Sequence, residues 1–342
     1  MEALQYHGPW QMTLVELPMP EPGEGEVLLR TLAVGICGSD VHGFTGESGR
    51  RQPGMVMGHE VVGEVAELGP GVSDVKVGQR AAVFNIVGCG RCHSCFAGQE
   101  QMCPARKVLG VSGGTWGAMA AFFTIPQRCL VPLPGDVAPA VGVLAEPIAV
   151  GLHAIRKARP QADDVTVIVG AGTIGIGLAI GLSAEGVREF MALDKIDAKL
   201  DLIRRFGARP INVAQEDARK VIDEATRGEG ARCVFEAVGA AATVRDAFGL
   251  CGNGATLVLI GNIAKEFTLP LQGVTSNEIT ICGSYGFTRQ DFIDAMKIVA
   301  SGQLPLDILV SGTCRLQDAP DTMTRIARGE LQPVKYVIEV GT

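Results

Sequence analysis

Residues 165–194 constrain the fold of this chain more than any other stretch. They open on a β-branched run, Val165-Thr-Val-Ile-Val169, turn through Gly170-Ala-Gly172-Thr173-Ile174-Gly175, and reach Phe190-Met-Ala-Leu-Asp194 after a long apolar segment. A short run of this composition predicts a buried parallel strand. The three glycines form Gly-x-Gly-x-x-Gly at a strand-to-helix turn. The first makes the turn tight, the second lets the backbone approach a pyrophosphate, and the third lets the helix sit close on the sheet. The helix N-terminus that follows presents free N–H groups and the positive end of a dipole to the phosphates. Glycines in such a segment can serve close packing alone. The second predicted strand argues for more, because it ends on an acid about 20 residues further on, where a carboxylate bonds the two ribose hydroxyls of NAD. The charge of Asp194 disfavours the extra phosphate of NADP, although Lys195 and Lys199 carry the opposite sign.

The same stretch has a second reading. No charged residue occurs between Asp164 and Glu185, a span long enough for a membrane helix. Its glycine density and the strand character of its first part predict a buried strand followed by a buried helix instead.

A chain of 342 residues predicts about two domains, and 47% apolar residues allow each a sizeable core. The net charge of −7 argues against nucleic acid and anionic membranes as partners. Residues 1–7 show no basic segment leading into an apolar run, so the expectation is no signal peptide and a cytoplasmic protein. In that compartment the ten cysteines are expected to be metal ligands or buried thiols rather than disulfides.

The N-terminal third reads as β-rich, with strands over 27–34 and 61–68 punctuated by turns at 21–25 and 68–71. Many short strands with Gly/Pro turns predict a compact barrel-like domain. Within it lie Cys37-Gly-Ser-Asp-Val-His42 and Gly58-His59-Glu60, which offer zinc-ligand types. Taken alone, Cys37 reads equally as a buried thiol and His59 as a loop residue. Cys89, Cys92, Cys95 and Cys103 form a different pattern: four thiols in one loop-like segment that fill all four positions of a tetrahedral zinc. A closed shell leaves no place for substrate, so this zinc is predicted to be structural. Glu146, followed by Pro147, fits a helix start with the acid near its positive end.

Beyond Asp194, helices are predicted over 198–206 and 217–226, strands over 211–213, 256–261 and 279–283, and a strand ending in a turn over 233–239. Turns at the carboxyl ends of such strands face a bound nucleotide, which makes Val238, Ile260, Gly261, Ser284 and Tyr285 candidate cofactor contacts beside Gly170, Gly172, Thr173, Ile174, Gly175, Asp194 and Lys199. A helix over 289–300 follows, and a strand over 334–340 is placed to close the first domain's sheet.

Together and in this order, Cys37-Gly-Ser-Asp-Val-His, Gly58-His-Glu, the Cys89–Cys103 lobe, Glu146-Pro-Ile-Ala-Val-Gly and the Gly170–Gly175 turn resemble the zinc-dependent medium-chain dehydrogenase/reductase family, over nearly the whole chain. The similarity is greatest to the sorbitol (polyol) and threonine dehydrogenases, which carry Glu at the Glu146 position. The resemblance implies an α/β protein: a GroES-like β-barrel catalytic domain over 1–150 and 285–342, with its structural zinc lobe at 88–104, around a Rossmann NAD-binding domain over 151–284, a doubly wound parallel sheet. It implies two zinc ions per chain. Cys37, His59 and either Glu60 or Glu146 hold the catalytic one, and the choice between the acids stays open. It further implies hydride transfer from a secondary alcohol or polyol to NAD, with Ser39 taking the hydroxyl proton and passing it through the nicotinamide ribose to His42. Threonine or a phospho-polyol is the alternative substrate. The alternative of another class is a non-catalytic nucleotide-binding zinc protein. Relatives are commonly homodimers or homotetramers. Two departures from the polyol pattern stand out. Gly43 replaces an aromatic after the relay histidine, and Gly286-Phe287 replaces an Arg-aromatic pair. Phe44, Trp116 and Phe287 are thereby candidates to line a more apolar pocket.

Overall fold

The computed structural model describes residues 1–114 and 116–341. The chain divides into two compact units, 1–146 with 288–342 and 147–287.

The second unit is built on six parallel strands. Their spatial order is Arg209–Asn212, Phe190–Asp194, Thr166–Val169, Ala231–Glu236, Cys251–Leu259 and Thr280–Gly283. Counted along the chain this is 3-2-1-4-5-6, the Rossmann order, whose direction reverses between the first and fourth strands. The charge-free span resolves as the fully buried strand Thr166–Val169 and the helix Thr173–Ala184. Among the described residues no helix is long and apolar enough to cross a membrane. Continuous apolar strands are what a sheet covered on both faces requires. Val167, Val169, Met191, Leu193, Val234 and Leu257 accordingly meet in one core.

The strand ending in a turn expected over 233–239 is the strand Ala231–Glu236 with Val238 and Gly239 in the turn after it, as expected. That turn is set by a residue which the sequence reading passed over. Glu236 is fully buried. Its carboxylate accepts from the Val238 N–H at 3.1 Å, the Gly239 N–H at 2.8 Å and the Thr243 hydroxyl at 2.7 Å. A buried carboxylate needs such donors in place of water, and satisfying them folds the chain back at the strand's end.

The first unit is built on a mostly antiparallel β-sheet. The central strand Glu26–Ile36 pairs antiparallel with Glu60–Leu68, with Phe122–Pro126 along its first half and with Lys335–Glu339 along its second. The sheet extends through Arg80–Val83 to Leu130–Pro132 on one side and to Val310–Arg315 on the other. The strand expected over 334–340 therefore does join this sheet, pairing Tyr336 with Ile36. A hairpin, Glu2–Gly8 with Gln11–Glu16, was not anticipated from the sequence. The helix Arg289–Ala300 begins on a capping box in which the Thr288 hydroxyl accepts from the Asp291 N–H and the Asp291 carboxylate accepts from the Thr288 N–H. Its Phe292 packs against Phe84 with ring centroids 6.2 Å apart.

Candidate active site and metal centres

Two groups of ligand-type side chains form in the first unit. In the lobe, the sulfurs of Cys89, Cys92, Cys95 and Cys103 lie within 4.8 Å of one another. The short helix His93–Phe96 and the turn Glu100–Met102 carry the segment between them. The Glu100 carboxylate accepts from the Gly88 N–H at 2.6 Å, and the Cys103 sulfur accepts from the Cys89 N–H at 3.4 Å. The Cys89 thiol is drawn down to about 6, chiefly by the Arg91 backbone amide, whereas burial and its sulfur neighbours push Cys95 up to about 11. One thiol poised as thiolate among three close sulfurs is a donor set that fits tetrahedral zinc.

The second group is assembled from separate elements. Cys37 ends the approach to the short helix Gly38–Phe44, and Glu60 opens the strand Glu60–Leu68 with His59 just before it. One ligand atom each from Cys37, His59 and Glu60 falls within 4.8 Å of the others. Glu146 is not a member of that group, but it is buried beside it. Asn85 joins the two by donating to the His59 carbonyl at 3.1 Å and to Glu146 Oε1 at 3.2 Å. Burial first, and the Glu60 charge second, push the Glu146 carboxyl up to about 7 against the pull of His59, Lys335 and Asn85. A half-buried thiol converging with a buried imidazole and a buried carboxylate fits a zinc ion. His59 Nδ1 and Asp40 Oδ1, both buried and just beyond hydrogen-bond distance, face each other, so the ring is turned with its Nδ1 edge toward Asp40.

Four residues that the sequence reading did not single out support this group. Asp40 is fully buried, with Oδ1 3.6 Å from both His59 Nδ1 and the Arg51 guanidinium. Burial works against its charge, but His59, Arg51 and the Cys37 N–H outweigh that and hold its carboxyl below the usual value. A carboxylate behind a metal-type histidine orients the ring. Arg51 explains the first departure from the polyol pattern, because a Cβ at Gly43 would lie 2.7 Å from Arg51 Cγ. Arg51 runs where an aromatic at position 43 would have to start. Asn85 is the third of these residues. The fourth is Lys335, whose Nζ donates to both Glu60 oxygens, at 2.7 and 2.5 Å, with both side chains only 1% exposed. Burial disfavours its charge, but Glu60, with Cys37 and Glu146, outweighs that and raises its pKa.

Ser39 and His42 lie on the Gly38–Phe44 helix, three residues apart and so on one face. Ser39 is exposed, and His42 is 43% exposed with Nδ1 2.7 Å from Glu47 Oε2. Phe44 and Phe287 are each only 1% exposed and belong to the cores. Trp116 is half-buried and donates from Nε1 to the Thr124 carbonyl at 2.7 Å.

In the second unit, Gly170 has φ of 102° and Gly175 abuts the Gly170 carbonyl, where any Cβ would collide. At Gly172 a Cβ would meet no protein atom within 4 Å, leaving the backbone open to a ligand. Asp194 ends its strand with Oδ2 accepting from the Ala171 N–H at 2.9 Å and Oδ1 from the Lys195 N–H at 2.8 Å. These bonds fix the carboxylate beside the glycine turn. Thr173 and Ile174 open the helix, and Lys199 is half-buried on the helix Asp197–Arg204. Val238, Ile260, Gly261, Ser284 and Tyr285 follow the carboxyl ends of their strands. The Ser284 hydroxyl is buried without a hydrogen-bond partner.

Residues 23–135 match the model of the alcohol dehydrogenase GroES-like domain, and residues 173–301 that of the zinc-binding dehydrogenases. The erythritol/L-threitol dehydrogenase of Mycolicibacterium smegmatis is 31% identical over 96% of this chain and 95% of its own. The chain belongs to the zinc-dependent medium-chain dehydrogenase/reductase family. Its place there is polyol dehydrogenase-like: the sorbitol dehydrogenase of Bacillus subtilis is 29% identical, covering 99% of this chain and 97% of its own. Among solved structures, an Escherichia coli alcohol dehydrogenase complexed with NADH superposes with a TM-score of 0.90 at 27% identity, covering 99% of both chains. As a member of this family the chain is an oxidoreductase, a zinc-type dehydrogenase.

Proposed function

We propose that this dehydrogenase oxidises a secondary alcohol or polyol to the ketone with NAD as hydride acceptor. The observation that carries the reading is the Cys37–His59–Glu60 group, its thiol half-buried and its imidazole and carboxylate buried, with Glu146 beside it. Cys37, His59 and one of the two acids would hold the catalytic zinc, and the four lobe cysteines the structural one. Zinc bound there supplies a Lewis acid for an alcohol oxygen, and NAD, when bound, accepts the hydride. The protein's own residues do the rest. Asp40 and Asn85 fix the ligand-bearing segments. Ser39 accepts the hydroxyl proton and His42, one turn on, delivers it to solvent, held at Nδ1 by Glu47. Gly172 admits the pyrophosphate and Asp194 takes the ribose hydroxyls. A polyol substrate is supported by the names of the two relatives, and NAD over NADP by the Asp194 carboxylate. The domain assignment follows: the first unit is catalytic and the second binds NAD.

The test is NADH appearance with sugar alcohols, short diols, simple secondary alcohols, threonine and phospho-polyols, with and without a chelator, beside metal content per chain. Chelator-sensitive turnover on polyols is expected. Turnover only on threonine or a phosphorylated polyol would move the substrate class. One zinc per chain and no turnover would leave a non-catalytic nucleotide-binding protein.

A further inference from the structure

Lys335 is a buried cation with no part in the chemistry described so far. It opens the strand Lys335–Glu339, whose alternation puts Lys335 and Val337 on one buried face, where an apolar residue is expected. A lone ammonium there is costly, so its partner is informative. The partner is Glu60: Nζ bonds both carboxylate oxygens and, at 3.3 Å, the Ile36 carbonyl. Yet a Glu60 oxygen is also one of the three atoms that converge with Cys37 and His59. The lysine and a metal ion are thus rivals for the same carboxylate. Glu146 stands by as a second acid, bonded only through Oε1 to Asn85 among the bonds described. If both acids engaged one ion alongside Cys37 and His59, a tetrahedral shell would be full and no position would remain for substrate.

We propose that Lys335 is a positioning residue that competes with the catalytic metal for Glu60 and so keeps one coordination position open. The inference rests on the metal-site reading above. The lysine's three donors and its burial make it a fixed competitor, since it has no solvent-exposed position to retreat to.

The experiment replaces the metal with Co²⁺ in the full-length protein. It follows the visible absorption and the rate of Co²⁺ release to a chelator, with Cys37→Ala identifying the lobe's own signal. In Lys335→Met, Glu60 is freed to ligate. Release from the first site should slow about tenfold, in the range by which outer partners alter metal affinity, while turnover falls. Damage to the fold would instead speed release and lower turnover together. The slowing should vanish when Glu60→Gln is added. Release at the parent rate or faster, or slowing that persists with Glu60→Gln, overturns the proposal. Lys335→Gln, which keeps a donor without the charge, is the second variant should Met not fold, and the same order of rates is expected of it. A parent protein that binds Co²⁺ only in the lobe would sink the metal-site reading itself. Binding at both sites with unaltered release in the variants would sink only the role of Lys335.

Discussion

The two ligand groups of the first unit are opposite solutions to holding a metal. The lobe takes all four donors from positions 89–103 and surrounds them with local backbone N–H groups. The other draws Cys37, His59 and Glu60 from two separate elements, with Glu146, Asn85 and Lys335 from three more. The lobe can close around its ion because its donors follow one another. The other group must be built by the fold, and its outer residues are carboxylates and cations in mutual contention. A shell of four like donors is suited to stability, and an outnumbered, contested set is suited to exchange.

Removing one cysteine from each group is the sharpest way to break this contrast. Cys37→Ala should lower kcat on the order of 10³-fold, since a Lewis acid contributes several kcal/mol, with thermal stability near that of the parent. Cys103→Ala should lower the melting temperature and zinc content first, with activity lost only as the fold is lost. Equal melting temperatures in the two variants would erase the distinction.

Acid–base behaviour separates the groups next. In metal-stripped protein Glu146 is held neutral up to about 7 against an ordinary 4.5. A raised carboxyl pKa adds stability that is complete below 4.5 and lost as pH rises through 7, a swing of roughly 3 kcal/mol. His59, also raised, acts in the same direction. Thermal melts of the stripped protein between pH 4.5 and 8 should therefore fall with pH. Glu146→Gln should make the curve shallower, leaving the part due to His59, and a slope unchanged by that substitution would remove Glu146 as a source.

Ser39→Ala should cut turnover on the order of 10²-fold with both metals retained. Turnover equal to the parent's would take Ser39 out of the relay. The smallest expected effect lies in the second unit. Asp194→Asn should raise the KM for NAD about tenfold, the worth of one charge-assisted hydrogen bond, and narrow the preference over NADP. A preference that does not move would assign NAD selectivity elsewhere.

What was legible in the sequence was what lies close along it. The four lobe cysteines, the glycine turn and Asp194 sit within short spans, and their spacing is their geometry. The helix Arg289–Ala300 and the strand Phe190–Asp194 have the expected limits for the same reason. Glu236, Asp40, Arg51, Asn85 and Lys335 were missed because each is explained only by a contact made through the fold. One signal was available for Lys335: a charge at an apolar parity position of a strand demands a buried partner. The choice between Glu60 and Glu146 could not be read from spacing, since the ion-pair partner of Glu60 lies 275 positions downstream.

That separation has a consequence during synthesis. At about 5–20 residues per second, Glu60 precedes Lys335 from the ribosome by roughly 14–55 s, long enough for the second unit's parallel sheet to form in between. Throughout that interval Glu60 has neither its counter-ion nor the neighbouring strand that pairs with Gly35 and Ile36. Once Glu146 has followed, the segments that will form the site carry a thiol, an imidazole and two acids without the lysine that balances Glu60. A metal ion that arrives before the final strand would meet Glu60 without its competitor.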